Sequence, residues 1–224
     1  MSELDPKVRS LARQELARIL DLTLHAIDVT ARDVDTACEE ARVHGFFSVC
    51  VPSSRVSQAS ARLEESDAKV TCAITSGGAD ADVKRYEVEA ALDVGAQIFE
   101  VAVNVGLVKD GDAAALLREM RDIIDAADER PVGIRFDPQR LRPDELELLC
   151  RLALEAGVKG VAIAGHSDTA QSIAAARQIV AVTGENFGIK VDCHSLARAD
   201  IVAMLDAGAT RFGIADGVRL LDSL

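Results

Sequence analysis

Aromatic side chains are scarce in this chain of 224 residues: six Phe, one Tyr and no Trp. A core must then be assembled from Ala, Val, Leu and Ile, a composition suited to strands and helices packed in layers. Long apolar runs are missing too. No segment approaches the roughly 18 uninterrupted apolar residues of a membrane span, and the opening MSELDPKVRSLARQ has no apolar stretch of the signal-peptide kind. These absences predict a cytoplasmic protein with no membrane partner. The five cysteines (Cys38, Cys50, Cys72, Cys150, Cys193) are odd in number, scattered and without CxxC spacing. They therefore signal neither a disulfide framework nor a Cys-rich zinc site, and are expected as buried small hydrophobes. HxH and HxxxH spacings are absent, as are GxGxxG and Walker A patterns, so no metal and no cofactor is predicted. Basic residues are outnumbered, 25 Lys and Arg against 37 Asp and Glu, and they form no cluster that a nucleic-acid backbone would need.

What is present is an alternation. Short apolar runs stand at 19–24 (ILDLTL), 46–52 (FFSVCVP), 69–75 (KVTCAIT), 97–104 (QIFEVAVN), 131–137 (PVGIRFD), 160–165 (GVAIAG), 187–192 (FGIKVD) and 211–215 (RFGIA). Between them lie segments with apolar residues at i, i+3 and i+4, such as DVDTACEEARVHG and PDELELLCRLALEAG. Several begin at a capping Asp, Thr or Ser and end at Gly45, Gly95, Gly157 or Gly208. Eight strand-helix units with no Pro- or Ser-rich linker predict a (β/α)8 TIM barrel, a single domain over 1–224 with a short N-terminal helical extension. A doubly wound open sheet is the alternative, and it usually carries a Gly-rich first turn that this chain lacks.

Barrels of this kind place their chemistry at the C-terminal ends of the strands, on alternate side chains that point inward. The rule selects Glu100, Ala102 and Asn104 from the fourth strand and Gly133, Arg135 and Asp137 from the fifth. The sixth offers Ala162, Ala164 and His166, and the seventh Gly188, Lys190, Asp192 and His194. Ionisable residues inside apolar strands cost several kcal/mol unless they meet partners, so Glu100, Arg135, Asp137, Lys190 and Asp192 are expected to converge across the barrel. A purely structural ion-pair network is one reading of them. The other is a pocket where Lys190 is the nucleophile or an electrostatic handle and Glu100 or Asp137 moves protons. Lys190 is one of only six lysines. Arg135 beside it would lower its pKa, whereas three nearby carboxylates would raise it and keep it charged. His25, His166 and His194 each follow a strand and could line the mouth, while His44 reads as a helix-end residue.

These residues resemble the deoxyribose-phosphate aldolase family, class I aldolases on a (β/α)8 barrel, over nearly the whole chain. LDLTL is similar to the family's Asp-His-Thr-Leu opening, with Leu22 in place of His. SVCVP is similar to its Val-Cys-Val-Asn-Pro strand. Lys84 and Glu87 match its Lys-x-x-Glu helix, EVAVNVGLVKDGD its Asp-Met-Val-Ile-Asn-Ile-Gly segment, and AGATRFG its Gly-Ala-x-Arg-Ile-Gly run. The resemblance implies that Glu100 stands for the family's proton-relay Asp and Lys190 for its second lysine. The Schiff-base lysine, however, falls on Ala162. The inward lysine of its fifth strand becomes Gly133, so that Arg135 could project into the space over Ala162. The family's phosphate site, a Gly-Gly pair after the seventh strand and a Ser-Ser-Gly turn after the eighth, reads here Cys193-His194 and Ala215-Asp216-Gly217, so side chains are expected to obstruct the first and Asp216 to repel a phosphate.

The combined expectation is an aldolase-like lyase acting on a non-phosphorylated small-molecule carbonyl substrate, as in a specialised biosynthetic pathway. Its catalytic residues are Lys190, Glu100 and Asp137. Asn104, Arg135, Asp192, His166, His194, Thr23 and Cys50 are expected to contact substrate. A cyclase, dehydratase or isomerase using acid-base groups without covalent catalysis is the alternative, and a non-catalytic barrel the third. The resemblance also implies a possible homodimer through barrel helices.

Overall fold

The structure, a computed structural model, describes residues 13–26, 28–164, 169–193 and 196–223. Eight parallel strands close on themselves: β1 (Leu20–Thr23), β2 (Ser48–Pro52), β3 (Lys69–Ile74), β4 (Ile98–Ala102), β5 (Val132–Phe136), β6 (Gly160–Ile163), β7 (Gly188–Asp192) and β8 (Arg211–Ile214). Closure is made by β1 and β8, with Leu20 opposite Phe212 and Leu22 opposite Ile214. The expected (β/α)8 barrel is the observed fold, each strand lying within one of the apolar runs.

The strands are shorter than those runs because the chain turns early. Asn104 does not extend β4. Its side chain accepts from Leu107 N and caps the short helix Val105–Asp110. Likewise Asp137 leaves β5 at once, accepting from Gln139 N to fix a 3-10 turn over Pro138–Arg140. Local signals also set the helix ends. Thr30 and Asp33 form a reciprocal capping box ahead of Ala31–His44, and Gly45 ends that helix at a φ of 73°, where a side chain would be strained.

Leu, Ile and Val side chains from the outward face of the strands pack under the helices. Val34, Cys38, Val49, Val51, Phe99, Leu149, Ile163, Ile179 and Ile201 are all buried there, each removing roughly 1.5–3 kcal/mol worth of apolar surface from water if large. The helix Ala81–Asp93 does more than cover the sheet. Its Lys84, fully buried, donates to Ala102 O at the end of β4 (2.9 Å) and to Glu119 (3.0 Å). One turn on, Glu87 accepts from Ser53 just beyond β2 (2.6 Å). The family-like Lys-x-x-Glu pair thus ties down the strand ends on either side of β3.

Inside the barrel the floor is polar. Asp21 of β1 accepts a short hydrogen bond from Ser48, Thr71 donates to Ser48 (3.0 Å), and Arg211 reaches Asp21 at 3.3 Å. Burial pushes the Asp21 carboxyl above its ordinary pKa despite Lys190 and Arg211 nearby. Among the described residues no helix is long and apolar enough to cross a membrane.

Candidate active site

One lateral row of the sheet decides the site. Arg135 of β5 stands in register with Ala162 of β6, and Ala162 with Lys190 of β7. A methyl group therefore separates two long cations. Arg135 passes over it and forms a short ion pair with Asp192 of β7, two strands away. Its Nη1 also lies 3.7 Å from Glu100. Lys190 donates to Glu100 at 2.7 Å and lies 3.5 Å from Asp192. Four of the charges expected to converge do so, with the inward phase read from the strands.

Their electrostatics favour fixed charge. Burial opposes the Lys190 ammonium, but Asp192, Cys50, Glu100 and Asp21 outweigh it and hold its pKa well above the ordinary value. Arg135 is buried against its charge as well, and Asp192 and Glu100 keep it protonated. Burial acts against the Asp192 carboxylate too, yet Lys190, His25 and Arg135 keep it far below the usual carboxylate range. Two cations and two carboxylates thus form a closed quartet, which satisfies the rule that buried charges must be paired.

Two clefts open above it. The first, about 580 Å³, is lined by Thr23, His25, Asp28, Asp33, Asp192 and Cys193 among others. The second, about 470 Å³, takes in Gly77, Asn104, Asp137 and Arg140. Arg135 and Ala164 line both. Lys190 and Glu100 line neither and are nearly fully buried, at 1% and 2% exposure. The Arg135–Asp192 pair lies between them and the openings.

The expected site residues are accordingly sorted. Lys190, Glu100, Arg135 and Asp192 meet. Thr23 lines the first cleft, and Cys50 is buried with Sγ 3.9 Å from Glu100. Asn104 and Asp137 face the second cleft, each fixing a turn, and Asp137 sits with Arg140 (3.4 Å) rather than with Lys190. His166 and His194 lie outside the described residues. His25, expected only as one of the histidines lining the mouth, sits in the irregular stretch just after β1 and lines the first cleft. Its Nε2 lies 3.4 Å from Asp192, and Nδ1 has no hydrogen-bond partner.

Donor atoms of His25, Cys50 and Glu100 fall within 4.8 Å of one another. Lys190 and Arg135 already stand against Glu100, and burial keeps the Cys50 thiol protonated. Two fixed cations beside the trio oppose a third.

Position 213 has a plain physical requirement. A Cβ on Gly213 would overlap Asp192 Oδ1 and come within 2.7 Å of Thr23 Oγ1. Glycine there leaves the carboxylate its place.

The closed parallel barrel, with Glu100 and Lys190 paired in its interior, is a (β/α)8 fold of the kind that carries its chemistry among the strand ends. The chain belongs to the deoxyribose-phosphate aldolase family. It is 32% identical over 218 residues to deoxyribose-phosphate aldolase 1 of Bacillus licheniformis, spanning 94% of this chain and 96% of that one. With deoxyribose-phosphate aldolase 1 of Cutibacterium acnes it shares 33% identity over 212 residues, 92% and 96% of the two chains. No family model matches it. Among solved structures, a Coccidioides immitis protein described as a deoxyribose-phosphate aldolase superposes with a TM-score of 0.88 at 26% identity, covering 95% of this chain and 86% of that one. The deoxyribose phosphate aldolase of Aeropyrum pernix, a tetramer, shares the fold with a TM-score of 0.83 at 22% identity, over 95% and 92% of the chains.

Proposed function

We propose that the protein is an aldolase-type lyase that makes or breaks a carbon–carbon bond next to a carbonyl, on a small non-phosphorylated substrate, without a Schiff base. The observation that carries this reading is the burial of the Lys190 ammonium, hydrogen-bonded to Glu100 at 2.7 Å beneath the Arg135–Asp192 pair, with a methyl at position 162. A protonated amine sealed from both clefts is no nucleophile. Arg135 uses Nη1 for its carboxylates and, facing both clefts, is the cation suited to a developing enolate oxygen. Lys190 and Glu100 act beneath it as the support that fixes Arg135 and Asp192.

The absence of phosphate from the substrate has its own support. Cys193, where the family resemblance puts a phosphate-binding glycine, and Ala215, where it puts a serine, line the first cleft together with Asp28, Asp33 and Asp192. Asp216 already caps the following helix, its carboxylate accepting from Arg219 N at 3.0 Å. A phosphate dianion would meet carboxylates where it needs N–H groups.

The test compares cleavage of 2-deoxyribose, 2-deoxyribose 5-phosphate and a panel of unphosphorylated 3-hydroxy aldehydes and ketones, with borohydride added and intact mass recorded. Cleavage of an unphosphorylated compound with no borohydride adduct is expected. An adduct lost in Lys190→Met would restore the covalent route at Lys190, and turnover of the phosphate ester would overturn the substrate class.

A further inference from the structure

We propose that His25, oriented by Asp192, is the residue that carries the proton in this site. The inference rests on the lyase reading above and names its acid-base group. His25 lies in the first cleft, with its side chain 21% exposed. Its Nε2 faces Asp192 Oδ2 at 3.4 Å, while Nδ1 is buried with no hydrogen-bond partner, at a cost of about 1–3 kcal/mol that packing alone does not explain. The other acids of the cleft are committed elsewhere: Asp33 to the Thr30 cap and Asp192 to Arg135. Glu100, the family-like proton relay, is held by Lys190 away from the opening. Asp28 is exposed on the rim. His25 alone among these combines a titratable nitrogen, contact with an ionised carboxylate and a place at the cleft wall.

In the cleavage direction the neutral imidazole takes the proton of the substrate's 3-hydroxyl. The O–H pair becomes the new C=O of the released aldehyde, the bond between the second and third carbons breaks, and its electrons form an enolate whose oxygen faces Arg135. The imidazolium then returns the same proton to the enolate carbon, which restores neutral His25 with no other reactant. Asp192, 3.4 Å from Nε2, stabilises the imidazolium in between. The back half of this sequence is exchange of a proton next to a carbonyl.

The experiment follows that exchange by proton NMR, with hydroxyacetone and dihydroxyacetone in D2O, in wild type, His25→Gln, His25→Ala and Asp192→Asn, beside the cleavage assay. Wild type should exchange faster than buffer. His25→Gln should lose about 10²-fold or more, the scale of general acid-base catalysis, and added imidazole should restore part of the rate to His25→Ala. A merely structural histidine would not be rescued in this way. Exchange at the wild-type rate in a folded His25→Gln overturns the role of His25 and leaves the lyase reading standing. Wild-type cleavage without exchange also overturns it. Neither cleavage nor exchange in wild type removes the lyase reading, and this inference falls with it.

Discussion

Arg135 and Asp192 are joined across an intervening strand, from β5 to β7 over the methyl of Ala162. Alternate strands of such a barrel share a layer of inward side chains, so β5 and β7 meet across β6, and Ala162 leaves room beside the pair.

Removing the guanidinium should therefore destabilise the fold as well as the site. Arg135→Met leaves Asp192 with Lys190 at 3.5 Å and His25 at 3.4 Å. Breaking a buried pair costs on the order of 3 kcal/mol, measured as a lower urea midpoint with unchanged slope. An unchanged midpoint would mean that the pair contributes no net stability.

Lysine at position 162 should not be accepted alone. Ala162→Lys places a third cation between Arg135 and Lys190 and fills the path of the Arg135 side chain, so the single variant is expected to unfold at lower denaturant. Ala162→Lys with Arg135→Leu removes the crowding cation and should recover stability, giving a borohydride adduct with small aldehydes at the new lysine. A folded double variant with no adduct would show that the site lacks the remaining requirements of Schiff-base chemistry.

Asp192 makes stability depend on pH in a defined direction. Its native pKa is depressed, so its contribution is complete above the unfolded value of about 3.9 and is lost as pH falls through that value toward the native one. The stability gap between wild type and Asp192→Asn is expected to be constant from about pH 7 to pH 5 and to shrink below about pH 4. Urea unfolding at those values checks the sign, and a gap that widens in acid would contradict the assignment.

Gly213→Ala is the smallest change with a large expected effect. The new methyl displaces the Asp192 carboxylate and crowds Thr23 and the Lys190 stem, at a cost of about 1–3 kcal/mol. Lyase turnover, where present, should fall more than stability does, because the displaced carboxylate is the one that orients His25. Thermal unfolding and turnover measured on the same preparation separate the two effects.

The barrel was legible because every level of the sequence agreed on it: short apolar runs for strands buried on both faces, amphipathic connections and glycine stops at Gly45 and Gly157. The inner charges were legible for the same reason, since a Lys or Glu inside an apolar strand has only the interior or a partner to go to. Legibility ended where the strands did. Asp137 and Asn104 continue the alternation on paper, but Pro138 and the Asn104 cap turn the chain, and both side chains leave the quartet. His25 stands two residues beyond β1 with no periodicity to aim it. Lys84 looks like an ordinary helix-surface lysine, and its burial is set by Ala102 and Glu119, which are distant in sequence. Nothing within LDLTL marks Asp21 as a buried acid, because its partners Ser48 and Arg211 come from the two neighbouring strands.

The methyl at position 162 also couples two places in the chain. A long amine-bearing side chain there would crowd the Arg135 guanidinium and face a like charge, so residues 135 and 162 form a unit that is expected to tolerate change in both members together better than in either alone.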